Sequence, residues 1–198
     1  MKRPLRVAVA DSEQFMLDYY RDLLPRLGHE VIEAAHGRQL LELCRTEKPD
    51  LVITDVKLVD MDGLEATNEI NREREVPVIL VSDHHDGETQ ARAVQDHVMA
   101  YLAKPVKEGD LTAAISLAMA RFQDWKALRK EAADLRQALE DRKLVERAKG
   151  VVTRRVDVPE AEAFRRLRKL ASDQNRKLSE VARDVLGAEE IFDKLDRA

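Results

Sequence analysis

Cysteine occurs once in the 198 residues, at Cys44. A single thiol excludes both a disulfide framework and a cysteine zinc cluster. Long apolar runs are missing too. The N-terminal run is six residues, Leu5 to Ala10, with Arg6 inside it. That is too short for a signal peptide, and no stretch approaches a membrane span. The expectation is a cytoplasmic protein with no membrane partner. The net charge is small, −4 with a pI near 5.8, so the average says little about partners. Its distribution says more. Between Asp141 and Leu186, 13 Lys and Arg face 8 Asp and Glu, a local +5 that leaves −9 elsewhere. An acidic front and a basic back suggest two jobs, the second touching a polyanion; a solvated helical surface is the plainer reading. Glycine is absent between Gly109 and Gly150, and proline is absent from there to Pro159, so nothing punctuates a long helix.

Against these absences stands the stretch Pro49 to Leu64. Leu51 to Ile53 is an apolar, β-branched run suited to a buried parallel strand. It ends in Asp55 and an Asp- and Gly-rich turn before a helical pattern. Four further runs repeat the theme: Val7–Ala10, Val31–Ile32, Val76–Ser82 and Ala100–Leu102. Helical patterns separate them, including a weak one over Glu88–Asp96 after a polar loop from Asp83 to Gly87. Alternation at this spacing means βαβ units and a doubly wound α/β fold with a five-stranded parallel sheet.

Ligands in such sheets bind beyond the carboxyl ends of the strands. Asp11, Asp55, Ser82 and Lys104 all fall there. Two carboxylates at neighbouring strand ends suit a hard divalent cation; a hydroxyl and an ammonium suit phosphoryl oxygens. Singly, each has a plainer reading as a cap, turn or solvated residue. Their order at successive strand ends makes a phosphoryl-transfer constellation with Asp55 as nucleophile.

Residues 5 to about 120 resemble the receiver domain of two-component response regulators. Asp11, Asp55, Met61-Asp62-Gly63-Leu64, Ser82, Tyr101 and Lys104-Pro105 carry the resemblance. It implies a flavodoxin-like strand order 2-1-3-4-5 and Mg²⁺ held by Asp11 and Asp55. It also implies phosphorylation of Asp55 by a sensor histidine kinase, with Ser82, Tyr101 and Lys104 as switch residues. Three positions depart from the family pattern. Ser12 replaces the second acid after strand one, which weakens the expected hold on Mg²⁺. Val59 replaces the usual proline, and Asp83 stands where a small residue is usual.

The helical pattern does not end with the receiver. Trp125, Leu128, Ala132, Leu135 and Leu139 alternate at spacings of three and four, the seam of a coiled coil. Only about two heptads are present, so packing within one chain and dimerisation both fit. A protruding helix with no core to cover favours a homodimer. We divide the chain into a receiver over 1–122, a helical linker over 123–138 and an output domain over 139–198.

In the output domain, Ala163, Phe164, Leu167 and Leu170 give one apolar face, and Leu178 to Leu186 reads as a short last helix. A small three-helix bundle follows. Its basic residues fit nucleic-acid contact, and a charged dimerisation bundle or a DNA-binding helix-turn-helix fits the pattern as well. Residues from about Leu135 to Leu186 resemble the ANTAR module, the RNA-binding output domain of antitermination regulators. Arg142, Glu146, Ala148-Lys149-Gly150, Ala163-Phe164, Leu167-Arg168 and Asn175-Arg176 carry that resemblance. It implies a non-enzymatic regulator that binds stem-loops of a nascent leader RNA as an antiterminator. Arg142, Arg147, Lys149, Gly150, Arg168, Asn175 and Arg176 are the candidate RNA contacts. The alternative is a phosphorylation-gated protein-interaction or DNA-binding regulator.

Overall fold

The computed structural model describes residues 3–83 and 98–196. The helix expected over Glu88–Asp96, and the polar loop beyond Asp83, lie outside the described residues. The elements run β1 (Arg6–Ala10), α1 (Gln14–Arg26), β2 (Glu30–Ala34), α2 (Gly37–Glu47), β3 (Leu51–Asp55), α3 (Gly63–Glu73), β4 (Val78–Ser82), β5 (Ala100–Ala103), α4 (Glu108–Val156), α5 (Glu160–Asp173) and α6 (Leu178–Leu195). The chain forms two compact units, Met1–Lys126 and Ala127–Ala198. The division falls inside α4.

In the first unit all four strand pairings are parallel, in the order β2-β1-β3-β4-β5. The order 2-1-3-4-5 is the expected one. Every residue of β3 and β4 is buried, because helices cover both faces. Val7, Val9, Ile53 and Val81 point toward α1 and the start of α4. Ala8, Ala10, Val52 and Val78 point toward α2 and α3. A strand buried on both faces needs apolar residues at every position, which is why these strands read as continuous runs and not alternations. Trp125 departs from its expected seam position. It stacks on Phe122, ring centroids 5.7 Å apart, and packs against the first core.

The second unit packs the end of α4 against α5 and α6 around Ala148, Leu167, Ala171, Val181 and Ala182. Small residues let the helices approach closely. Phe164 and Leu170, expected inward, are both exposed, and Ala171 is buried beside Leu167 instead. One helical face carries more apolar residues than three thin helices can cover. The last helix is longer than expected, since nothing breaks it at Leu186 and its pattern continues to Leu195.

Candidate functional site

Strand register assembles the first site. Ala10 pairs with Thr54, so Asp11 and Asp55 emerge side by side. Ser82 pairs with Ala103, bringing Ser82 next to Lys104. The Lys104 amide donates to the Ser82 carbonyl at 3.0 Å, and the Lys104–Pro105 peptide is cis. Lys104 then turns its side chain into the site, where only 5% of it is exposed. Its Nζ lies 2.7 Å from Asp55 Oδ2, 2.7 Å from Glu13 Oε2 and 3.0 Å from Asp11 Oδ2.

The electrostatics follow from burial. Desolvation opposes the charge on Lys104, but its bonds to Asp55 and Glu13 and the attraction of Asp11 outweigh it, and the pKa stands above the ordinary lysine range. Asp11 goes the other way for a carboxyl. Burial lifts its pKa, against the Glu13 amide that donates to it and against Lys104. Asp11 is 1% exposed. Its Oδ2 meets the Lys104 ammonium at 3.0 Å as a buried ion pair. Three carboxylates around one ammonium leave the cluster two charges negative. One oxygen each from Asp11, Glu13 and Asp55 lie within 4.8 Å of one another. Such a donor set suits a hard divalent cation of the Mg²⁺ kind.

The turn after β3 is shaped around Asp55. The Lys57 amide donates to Asp55 Oδ1 at 3.0 Å, and the Gly63 amide donates to the Val56 carbonyl at 2.8 Å. A Cβ on Gly63 would lie 1.9 Å from the Asp55 carbonyl oxygen, so only glycine lets α3 start there. Asp62 caps α3 at the Leu64 amide, 2.8 Å away. Asp60 ties the same turn to α2, accepting from the Gly37 and Arg38 amides at 2.7 and 3.1 Å. Ser82 is buried at the end of β4. Tyr101 is half-buried against Val56, Leu64 and Leu80. Asp83 and Val59 are exposed.

Glu13 is the residue that sequence reasoning missed. The signal was present: an acid two residues past Asp11, directly after the atypical Ser12.

The candidate RNA contacts of the second unit divide into two groups. Lys149 is engaged internally with Glu146 at 2.8 Å and Glu160 at 3.6 Å. Arg176 is held by Asp184 at 2.7 Å and Glu180 at 3.5 Å. Arg142, Arg147 and Arg168 are exposed, with no ion pair to any described residue. Asn175 has φ 51°, and the Arg176 amide donates back to Ala171. That left-handed stop to α5 is a backbone role suited to asparagine. Gly150 is helical, and a Cβ there would meet only the Arg154 guanidinium at an ordinary 3.7 Å.

Two segments of the chain match known domain families. Residues 7–116 match the response regulator receiver domain, and residues 133–186 match the ANTAR domain. The transcriptional regulatory protein PdtaR of Mycobacterium tuberculosis is 38% identical over 184 residues, spanning 92% of this chain and 90% of that protein. The polar-differentiation response regulator DivK of Brucella anthropi is 30% identical over 106 residues, 52% of this chain and 86% of DivK. Among solved structures, a CheY-like receiver domain protein from Methanospirillum hungatei aligns with a TM-score of 0.58 at 26% identity, covering 62% of this chain and 98% of that one. A receiver domain from Clostridium thermocellum aligns at 0.56 and 30% identity, covering 60% and 96%. The sheet order, the acidic cluster with its lysine and the two matched segments have one meaning: the chain belongs to the two-component response regulators that join a receiver domain to an ANTAR output domain.

Proposed function

We propose that a sensor histidine kinase phosphorylates Asp55, and that the modified protein acts as a dimeric, RNA-binding transcription antiterminator. In the transfer the phosphohistidine P–N bond breaks and a P–O bond to the Asp55 carboxylate forms. The new group adds about −1.5 to −2 charges where the carboxylate had one. Lys104 and Ser82 hold the phosphoryl oxygens, and Tyr101 moves with Ser82. Asp11 and Asp55 hold Mg²⁺, which when bound neutralises charge on the phosphoryl group.

Dimerisation uses the linker, residues 123–138, and the first turn beyond it. Leu128, Leu135 and Leu139 are 66%, 60% and 58% exposed on α4. Burying each in a partner is worth roughly 1.5–3 kcal/mol. The paired output domains, residues 139–198, then grip two stem-loops of a nascent leader, whose loop bases are unstacked and open to readout.

One observation carries the RNA reading. Gly150 costs its helix about 0.5–1 kcal/mol relative to alanine, yet no packing within its unit requires it. A ligand that must approach the backbone gives that glycine a reason. The exposed Arg142, Arg147 and Arg168 surround the same module, with Lys149 and Arg176 released from their acids as phosphates replace them. Asn175 presents its amide at the following turn.

Gel-shift titration of the full chain with a two-hairpin RNA and with duplex DNA tests this. The expected result is RNA retention alone, weakening steeply with salt and weakened again by Lys149→Ala and Arg168→Ala. Equal binding to duplex DNA, or none to RNA at low salt, overturns it. Phosphorylation is tested separately with a small acyl-phosphate donor and Mg²⁺. Acid-labile label is expected on the wild type and not on Asp55→Ala; its absence from both rules out Asp55 as acceptor.

A further inference from the structure

We propose that Phe164 is a base-stacking residue of the output domain, holding one unpaired loop base of the RNA on its ring between Lys149 and Arg168. This rests on the RNA reading above and adds to that site a contact that charge does not reveal.

Phe164 lacks the reasons that ordinarily keep a phenylalanine. Residues 139–198 contain two aromatic side chains, Phe164 and Phe192. Phe192 already has a cation over its face, the Arg155 guanidinium 5.5 Å from the ring centroid. Phe164 has no ring or cation partner among the described residues. It stands outside the core that Ala163 and Leu167 enter on either side of it, and 38% of it is exposed. A lone exposed apolar side chain is ordinary, so its neighbours decide.

Helical spacing supplies them. Glu160, Phe164 and Arg168 are four residues apart on α5 and form one row of its surface. Lys149 of α4 joins that row through Glu160, 3.6 Å away. Phe164 is thus about 6 Å along the helix from the acid that holds Lys149, and about 6 Å from Arg168 on the other side. Asn175 follows two turns beyond Arg168, at the left-handed stop to the helix. Leu170 makes the contrast. It is exposed to a similar degree, 42%, but on the opposite flank of the buried row. Its neighbour one turn back, Arg166, is held by Glu162 at 2.8 Å, and one turn on stands the acid Asp173. Cations alone grip any strand of phosphates. A π face set between them favours an unstacked base, because bases in a duplex are already stacked on each other. Phe164 therefore selects looped over paired RNA.

Gel-shift titration of the full-length protein tests this with a two-hairpin RNA, intact and with one loop base at a time replaced by an abasic site. Phe164→Ala is expected to weaken binding by roughly 5- to 150-fold, the range of one lost base–aromatic stack. Phe164→Leu keeps the bulk without the π face and stays at least about fivefold weak. Phe164→Tyr and Phe164→Trp stay within about threefold of wild type, an order that a packing role does not predict. Phe164→Ala leaves the salt slope unchanged, whereas Arg168→Ala lowers it by about one contact. At one abasic position Phe164→Ala costs nothing further, which identifies the stacked base. Leu170→Ala stays within about twofold. Circular dichroism verifies folding, and the Leu, Tyr and Trp series carries the test if Phe164→Ala does not fold. Phe164→Leu equal to wild type, a lowered salt slope for Phe164→Ala, no coupled loop position, or a sedimentation mass lost with the ring overturns the assignment. A wild type that binds no RNA at low salt overturns the RNA reading itself, a distinguishable failure.

Discussion

The two units use charge in opposite ways. The receiver gathers its functional charges at one buried point, where Asp11, Asp55 and Lys104 are nearly sealed from water and Glu13 closes the outer side. The output unit spreads its charges over the surfaces of α4, α5 and α6, many in pairs such as Lys143 with Glu140 and Arg166 with Glu162. Buried charges are individually costly to disturb, because the partner left behind cannot reach water. Exposed pairs are screened and individually weak. A signal read at one atom therefore belongs in the first unit. A polyanion read by many small contacts belongs in the second.

That contrast breaks most readily at Lys104. Lys104→Met strands three carboxylates, and in EDTA at pH 7 it is expected to lower receiver stability by about 3 kcal/mol. This is the lower end for a broken buried pair, since Glu13 stays wetted. Urea unfolding measures it, and a loss below about 1 kcal/mol would show the cluster to be effectively solvated. Gly63→Ala comes next. Its Cβ meets backbone, which cannot swing aside, so about 1–3 kcal/mol is expected, together with slower labelling of Asp55.

In the second unit the same measurements should dissociate. Gly150→Ala is expected to raise the thermal stability of the output unit by about 0.5–1 kcal/mol while weakening RNA retention. Unchanged retention would remove the reason for that glycine. Arg176→Ala should leave the melting midpoint where it is and reduce the slope of log affinity against log salt by about one contact. Leu135→Glu with Leu139→Glu should halve the mass seen by sedimentation equilibrium without unfolding either unit. A wild type that is monomeric at every concentration would refute the linker assignment.

At neutral pH the smallest effect concerns Cys44, buried between α2 and α3. Burial pushes its thiol up to about 12 from an ordinary 9. A raised folded pKa stabilises fully below the unfolded value and loses that contribution as pH rises through the folded one. Relative to Cys44→Ala, wild-type stability should hold to pH 9 and decline from there toward 12. Below pH 9 the thiol should react with a disulfide reagent only at the rate of opening.

Much of the receiver was legible because its strands are buried on both faces. Leu51–Ile53 and Val78–Val81 have apolar residues at every position, and each run ends at a residue of the site. Order along the chain then put Asp11, Asp55, Ser82 and Lys104 at strand ends before any contact was known. The position of Glu13, two residues past Asp11, was a visible signal, but its contact was not legible, since it depends on a lysine 91 positions away turning inward. Nor was the fate of Trp125, which satisfied a heptad spacing and a core position equally well. In the output unit periodicity placed the helices but misjudged Phe164 and Leu170. Three slim helices cover a narrow stripe, and which apolar residues fall within it depends on the crossing of their axes.

Sequence alone determined the alternation of strands and helices, the unbroken stretch from Glu108 to Val156 and the residue types at the strand ends. Those are local matters of propensity, burial period, the absence of proline and the lack of any glycine between Gly109 and Gly150. Tertiary structure alone decided which acids share Lys104, which cations of the output unit are already engaged and which apolar side chains stay in water. Each of these turns on distances between segments far apart in the chain, and such distances are set by packing, which no local pattern encodes.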